Sequence, residues 1–186
     1  MTDTLEQKPA STELTGGAGF THEDTVVAYY LAHLLRHEGA AGLPGNVTSV
    51  AVQQNGQGNP MDDLVVEFDD AGVKRNLSLQ IKRKVTISGS DTNKDFRAII
   101  GAAAETEALP SFARGFDKCG FLVEYVTPDT LRSLKRLIDW ANDSPTGAEF
   151  AARFSSSGNA GEDERNLRNG LPPAVLHTAC DGPARF

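Results

Sequence analysis

A chain of 186 residues that is 39% hydrophobic and 23% charged has the composition of a globular domain with a core of its own. Its formal net charge of -7 argues against a protein that coats nucleic acid through its whole surface, although a local basic groove is still allowed. Two cysteines without metal-ligand spacing, no signal peptide and no long apolar run predict a reducing, cytoplasmic setting without a membrane.

The first ordered element is expected to be a helix that follows a flexible tail. Residues 1–18 are polar and end in a glycine cluster, which predicts a mobile segment outside the core. A helix is predicted over about 21–38, and its apolar positions recur at helical spacing: Val26, Val27, Tyr30, Leu31, Leu34 and Leu35. The valines of "NVTSVAVQQ" then predict a strand over about 47–54.

The next segment predicts a β-hairpin. The stretches "LVVEF", "DDAG" and "VKRNLSLQIKR" are typical of a strand, a tight turn and a returning strand. The returning strand alternates apolar and polar positions, so its faces carry Leu77, Leu79 and Ile81 on one side and Ser78, Gln80 and Lys82 on the other. The polar face therefore runs back toward the open end of the hairpin.

The second half of the chain predicts two long helices around one strand. A helix is expected from Asn93 to near Pro110, and the almost continuously apolar "CGFLVEYV" at 119–126 predicts a buried central strand. Thr127 and Pro128 are the expected cap and first residue of a helix. Its inner face is predicted to carry Leu131, Leu134, Leu137 and Ile138. A shorter helix is expected over about 146–154.

The order helix, three strands, helix, strand, helix predicts an α/β fold with a mixed central sheet between flanking helices. We expect one domain over residues 19–154, followed by a C-terminal extension over residues 155–186. The extension mixes a flexible loop, a small helical segment and an ending without a clear stop signal.

Three polar side chains are predicted to converge at the open end of the hairpin. Asp63 lies just before strand 64–68, and the returning strand carries Gln80 and Lys82 back toward it. A carboxylate oxygen and an amide oxygen suit Mg²⁺, which needs few protein ligands because it keeps several waters. Lys82 can hold the attacking water or stabilise charge in the transition state. The set fits metal-assisted hydrolysis of a phosphodiester.

These residues also carry a resemblance to a known group of enzymes. The chain has a first helix that opens with Gly19-Phe20, then Asp62-Asp63-Leu64-Val65-Val66, a hairpin turn, and Gln80-Ile81-Lys82. This pattern resembles the restriction-endonuclease-like, or PD-(D/E)xK, superfamily in its Gln-x-Lys variant. It is most similar to the double-stranded-DNA endonuclease domains that act as effectors in bacterial anti-phage defence proteins. The resemblance covers roughly residues 19–154.

The resemblance implies a restriction-endonuclease-like three-layer fold and a Mg²⁺-dependent endodeoxyribonuclease that cuts double-stranded DNA with little sequence specificity. Asp63, Gln80 and Lys82 would be catalytic. Asp63, Gln80 and Glu23 would bind Mg²⁺, for which Mn²⁺ is expected to substitute. It further implies an anti-phage effector that acts as a homo-oligomer and carries a C-terminal sensor domain in its full-length form. Gln80 departs from the commoner Asp or Glu and leaves less negative charge to hold the metal.

The same residues also allow other interpretations of their roles and of the function of the chain. The candidate contacts to DNA phosphates are Lys74, Arg75, Arg83 and Lys84, with Lys94 and Arg97 as further candidates. Charges on the returning strand also serve to discourage aggregation of a sheet edge, and an acid in a first helical turn is favoured by the helix dipole. The alternative function is a non-catalytic scaffold of the same fold that binds nucleic acid or a partner protein. A third hypothesis is a nuclease that acts on RNA or single strands. The sequence has no obvious surface for stacking bases that would favour it.

Overall fold

The computed structural model describes residues 22–54, 58–90, 92–155 and 157–170. The predicted tail at 1–18, the Gly19-Phe20 opening and the last sixteen residues of the extension, 171–186, lie outside these ranges. Within them, helices and strands follow the predicted order. Their bounds are α1 His22–Arg36, β1 Asn46–Val52, β2 Leu64–Asp70, β3 Val73–Lys82, α2 Lys94–Glu107, β4 Lys118–Val123, α3 Pro128–Asp143, α4 Gly147–Ala152 and α5 Glu162–Gly170.

The strands form a mixed sheet in the order β1-β2-β3-β4. The pairs β1–β2 and β2–β3 are antiparallel, whereas β3 and β4 are parallel and are joined through α2. Ala71 and Gly72 connect β2 to β3 with φ angles of 53° and 89°, and two consecutive positive φ values suit the twist of a tight hairpin. The prediction of an α/β fold with a mixed sheet flanked by helices is confirmed.

The prediction that the strand at 119–126 is central in the sheet is wrong. In the described part of the chain β4 pairs with β3 alone, so it is an edge strand, and all six of its residues are half-buried. The two central strands are β2 and β3, and β3 is buried at five consecutive positions, 77–81. Both faces of β4 have cover, Leu122 on one side and Phe121 and Val123 on the other, which explains why its sequence is so apolar.

Two hydrophobic cores lie on opposite faces of this sheet. The first core packs α1 against the sheet, and its buried members are Tyr30, Ala40, Val47, Leu64, Val66, Phe68, Leu77, Leu79 and Ile81. The second core packs α2, α3, α4 and α5 on the other face, and its buried members are Val85, Ile87, Phe96, Ile99, Leu137, Phe150 and Leu167. In β3, Leu77, Leu79 and Ile81 enter the first core, and the buried polar residues between them, Ser78 and Gln80, project from the opposite face.

Two helices expose apolar residues that fit the helical spacing of their sequences. On α1, Leu31 and Leu35 are 42% and 82% exposed, although both belong to the predicted apolar set that includes the buried Tyr30. On α3, Leu131 and Ile138 are 51% and 38% exposed, so its buried face is narrower than predicted. Helical spacing identifies apolar positions, but only packing decides which of them have a partner.

Helix starts follow the side chains that cap them. The Asn93 side chain accepts a hydrogen bond from the N–H of Phe96 at the start of α2, and Thr127 does the same for Thr130 at the start of α3. The predicted cap and first residue, Thr127 and Pro128, are therefore confirmed. Among the described residues, no helix combines the length and the apolar character needed to cross a bilayer.

Candidate active site at the open end of the β2–β3 hairpin

Asp63, Gln80 and Lys82 lie on one side of the sheet, at the end of the hairpin away from its turn. Leu64 pairs with Leu79 in the antiparallel register, and both side chains enter the first core. Side chains alternate along a strand, so the residues that precede Leu64 and follow Leu79 project from the opposite face. Asp63 and Gln80 therefore face each other across the hairpin, with Lys82 one step further along β3.

The Asp63 carboxylate is held from two directions. Its Oδ2 accepts a hydrogen bond of 2.7 Å from the backbone N–H of Ile81 and one of 3.2 Å from the Nζ of Lys82. The Asp63 side chain is 18% exposed and that of Lys82 is 41% exposed, so the ion pair lies at the boundary of protein and solvent. Together the two contacts hold the carboxylate in one orientation.

Gln80 makes its own contact with the neighbouring acid. Its Nε2 donates a hydrogen bond of 2.8 Å to Oδ1 of Asp62, and Gln80 is only 7% exposed. The two acids that precede β2 thus have different partners on β3, Asp62 binding Gln80 and Asp63 binding Lys82. Sequence reasoning did not assign a role to Asp62, although its position beside Asp63 was the available signal.

Backbone and side-chain contacts fix the segment that carries the two acids. The carbonyl oxygens of Asp62 and Asp63 accept hydrogen bonds from the N–H groups of Gln54 and Gln53, which extend the pairing of β1 and β2. The N–H of the buried Met61 donates to Oγ1 of Thr106 on α2 at 3.1 Å. No local pattern indicates the Thr106 contact, because a threonine inside a helical pattern carries no sign of its tertiary partner.

The oxygen atoms at this site are of the kind that binds Mg²⁺. Asp63 supplies a carboxylate and Gln80 an amide oxygen, which together with water and a phosphate oxygen form a hard ligand set. Among the described residues no three His, Cys, Asp or Glu side chains are grouped to hold a metal ion. A set built from one carboxylate, one amide and waters lies outside that count, so the donor chemistry fits the expected Mg²⁺.

Glu23 has a different position from the other candidate metal ligands. It stands in the first turn of α1, and α1 packs on the face of the sheet opposite Gln80 and Lys82. The structure does not bring Glu23 into a three-acid group with Asp62 and Asp63 in the described part of the chain. Its role as a metal ligand stays a prediction.

The candidate DNA-binding residues divide between the two ends of the hairpin. Lys74 and Arg75 lie beside the turn, where they pair with Glu67 at 2.9 Å and Asp70 at 3.3 Å. The eight residue steps from Lys74 to Lys82 span roughly 26 Å of strand. The hydrogen bond between Lys74 and Glu67 raises the pKa of the lysine and lowers the pKa of the acid.

The cations at the open end are more exposed. Arg83 pairs with Glu124 at 3.2 Å, and the Arg83 side chain is 83% exposed. Lys84 is also exposed. Lys94 and Arg97 lie in the first turn of α2, the helix that packs on the same face of the sheet as Gln80.

Compared with known proteins, the chain matches no family model, and searches of curated proteins and of solved structures give no significant match.

Proposed function

We propose that this chain is a Mg²⁺-dependent endodeoxyribonuclease that hydrolyses double-stranded DNA with little sequence specificity. The observation that carries the proposal is the ion pair of Asp63 and Lys82 beside Gln80, at the exposed end of two central strands. A carboxylate, an amide and an ammonium on one face supply metal ligands and positive charge within one small region. Mn²⁺ is expected to substitute for Mg²⁺.

Each residue has a defined task in this proposal. Asp63 and Gln80 hold the metal through oxygen atoms, and when bound the metal polarises the phosphate and lowers the pKa of a coordinated water. Lys82 donates to Oδ2 of Asp63 at 3.2 Å, so its ammonium lies next to the metal ligand. From there it orients the attacking water or stabilises charge on the phosphate in the transition state. The N–H of Ile81 keeps Asp63 in place as Lys82 turns to the substrate.

The topology supports a restriction-endonuclease-like fold. The described elements run helix, three antiparallel strands, helix and parallel strand, with the candidate residues at the start of β2 and the end of β3. That order and those positions agree with what the resemblance of "DDLVV" and "QIK" implied. An effector role in anti-phage defence and a C-terminal sensor domain are parts of the proposal that rest on the resemblance alone.

DNA binding is proposed to be mainly electrostatic. Arg83 and Lys84 follow Lys82 at the open end and are exposed, and in this proposal they contact phosphates that flank the cleaved bond. Such binding weakens steeply as the salt concentration rises. Lys74 and Arg75 lie at the other end of the hairpin and would contact DNA only along a longer duplex.

A homo-oligomer is the proposed working state, because a duplex has two strands to cut. The exposed surface of α1 supports it with a stripe of apolar residues at helical spacing, Ala28, Leu31, Ala32 and Leu35. An exposed apolar stripe of this kind is typical of a protein interface. Light scattering coupled to gel filtration measures the assembly state, and a monomer at the concentrations that give cleavage would contradict this part of the proposal.

The test is cleavage of supercoiled plasmid with Mg²⁺ or with excess chelator. We expect nicked and linear products that need Mg²⁺, and a loss of at least about 100-fold in rate for Lys82→Ala. Lys135→Ala is the matched control, since Lys135 also pairs with an acid, Asp139 at 3.2 Å, but on α3. Cleavage that survives chelation, or that Lys82→Ala leaves unchanged, would overturn the proposal.

A scaffold without catalysis is the second candidate. It is favoured by the two hydrogen bonds from Ile81 and Lys82 that Oδ2 of Asp63 accepts within the protein. Such a protein would bind DNA or a partner protein equally well with chelator present, and it would leave plasmid intact at every protein concentration. Competition by RNA and by single-stranded DNA in the same assay separates the third candidate, a nuclease for those substrates.

A further inference from the structure

The hydrogen bond between Asp62 and Gln80 gives a residue outside the proposed catalytic set a defined task. We propose that Asp62 is a positioning residue that orients the Gln80 amide so that its Oε1, and not its Nε2, faces the metal position beside Asp63. The inference rests on the proposed nuclease function and deepens it. It concerns how a neutral side chain becomes a dependable metal ligand.

The orientation follows from the chemistry of the two groups. An ionised carboxylate only accepts hydrogen bonds, whereas an amide has a donor end and an acceptor end. At 2.8 Å from Oδ1 of Asp62, Gln80 must present its Nε2 to the acid, which turns its Oε1 away from it. With a neutral partner the amide could adopt either orientation, and an NH₂ group directed at a cation would repel it.

Both ends of this hydrogen bond are held by the surrounding structure. Gln80 lies in the central strand β3, between the buried Leu79 and Ile81, and its side chain is almost fully buried. Asp62 follows the buried Met61, and its carbonyl oxygen accepts a bond of 2.8 Å from the N–H of Gln54. The contact is therefore preformed, and its removal leaves the polar groups of a buried amide without a fixed partner.

The same pair explains how the site keeps two negative charges with an amide at residue 80. Asp62 and Asp63 are adjacent, and the amide of Gln80 bonds to the first while its strand neighbours bind the second. An exchange of the two groups, Asp62→Asn with Gln80→Glu, conserves both the charge and the hydrogen bond. The Asn amide then donates to the Glu carboxylate, whose second oxygen needs no orientation because both oxygens are equivalent.

The experiment compares metal binding by the wild type, Asp62→Asn and the exchanged double variant. Binding of Mn²⁺ is measured directly by electron paramagnetic resonance, and the Mg²⁺ dependence of plasmid cleavage is measured in parallel. We expect Asp62→Asn to weaken metal binding by about 10- to 100-fold, as for other partners of metal ligands. The double variant should recover most of that loss. Asp139→Asn is the matched control, because it removes one carboxylate from an ion pair on α3.

A spectroscopic readout separates orientation from a simple loss of charge. The side-chain NH₂ signals of Gln80, identified by their absence in Gln80→Met, should exchange slowly with solvent in the wild type and quickly in Asp62→Asn. If Asp62→Asn does not fold, slow exchange in the wild type together with metal binding by the double variant still tests the same hydrogen bond.

The outcomes distinguish this inference from the proposed function. If the wild type binds Mn²⁺ and cleaves DNA while Asp62→Asn does both equally well, or keeps slow NH₂ exchange, the positioning role is wrong and the nuclease stands. A double variant as weak as Asp62→Asn also overturns the positioning role. If the wild type neither binds Mn²⁺ nor cleaves with Mg²⁺, the proposed function itself fails, and the inference fails with it.

Discussion

Lys82 and Asp63 form an ion pair of 3.2 Å at the point where β2 begins and β3 ends. The Asp63 carboxylate also binds the N–H of Ile81, so the acid has a structural contact that the lysine lacks. The two partners of one ion pair are therefore expected to differ in what they contribute to stability.

Replacement of these two residues tests that difference. Lys82→Ala should lower the free energy of unfolding by less than about 1 kcal/mol, because the ammonium is partly exposed. Asp63→Ala should cost about 1–3 kcal/mol, since it leaves the N–H of Ile81 without its acceptor. Urea unfolding measures both values. A larger loss for Lys82→Ala than for Asp63→Ala would show that the ion pair is mainly a structural element.

Thr106 on α2 should affect cleavage without contacting the substrate. Its Oγ1 accepts a hydrogen bond from the N–H of Met61 and thereby fixes the segment that carries Asp62 and Asp63. Thr106→Val keeps the shape but loses the acceptor, at a cost of about 1 kcal/mol. We expect a lower rate of plasmid cleavage at saturating Mg²⁺. Thr106→Ser keeps the hydroxyl and should retain most of the wild-type rate; equal rates for both variants would contradict the anchoring role.

Asp117 should be one of the most sensitive positions in the fold. It is 5% exposed, and its carboxylate accepts hydrogen bonds from the N–H groups of Asn76 at 2.7 Å and Ala113 at 2.8 Å. Asp117→Ala removes the shared acceptor of both N–H groups from a buried position, so we expect it to lower the free energy of unfolding by about 1–3 kcal/mol. Asp117→Asn retains one oxygen and should cost less. Urea unfolding that gives the same value for both variants would refute this account.

Glu107 should oppose folding at neutral pH. Burial raises the pKa of its carboxyl above the ordinary 4.5, although Arg114 and Lys118 act in the opposite direction. A raised pKa in the folded state favours the protonated form, so this contribution to stability is full below pH 4.5 and is lost as the pH rises through the folded value.

Glu107→Gln removes that titration and should therefore be more stable than the wild type at about pH 7. The difference in stability should shrink as the solution is acidified toward about pH 4, because protonation makes the wild-type carboxyl uncharged, like the glutamine amide. Thermal unfolding at the two pH values measures both effects. A variant that is less stable than the wild type at neutral pH would show that the ionised carboxylate is a favourable partner for Arg114 or Lys118.

The thiol of Cys119 should be unreactive in the folded protein. Burial and, to a lesser extent, the nearby charges of Glu107 and Asp117 together raise its pKa from 9.0 to about 12. At about pH 8 the folded chain then carries on the order of 1000-fold less thiolate than the unfolded chain. Labelling by a thiol-specific disulfide reagent, followed in a Cys180→Ser background, should be slow until urea is added. Equal rates with and without urea would contradict this prediction.

The sequence predicted local structure better than the partners of each element. The Thr127–Pro128 helix start and the β2–β3 turn depend on a few adjacent residues, so their types could be read directly. The position of β4 could not, because an apolar run shows that both faces have cover but not how many strands lie beside it. Leu35 fits the helical spacing of α1 and is nevertheless 82% exposed, since its partner is not encoded locally.

In the candidate site, too, features that depend on local sequence were predicted and features that depend on tertiary partners were not. Strand alternation placed Gln80 and Lys82 on the face opposite Leu79, and the hairpin brought Lys82 to Asp63. The contact of Asp62 with Gln80 depends on the register of the hairpin, which the turn sequence alone does not fix to the atom. Contacts made across longer distances in the chain, as by Thr106, leave no local pattern to read.

Because residues 77–81 are all buried, β3 is covered on both of its faces. Leu79 and Ile81 pack in the first core with residues of α1, whereas the side chain of Gln80 between them projects from the other face of the sheet. A disturbance in either half of the molecule therefore shifts the backbone that carries Gln80 and Lys82. The geometry of the candidate site is therefore complete only when the layers on both faces of the sheet are folded.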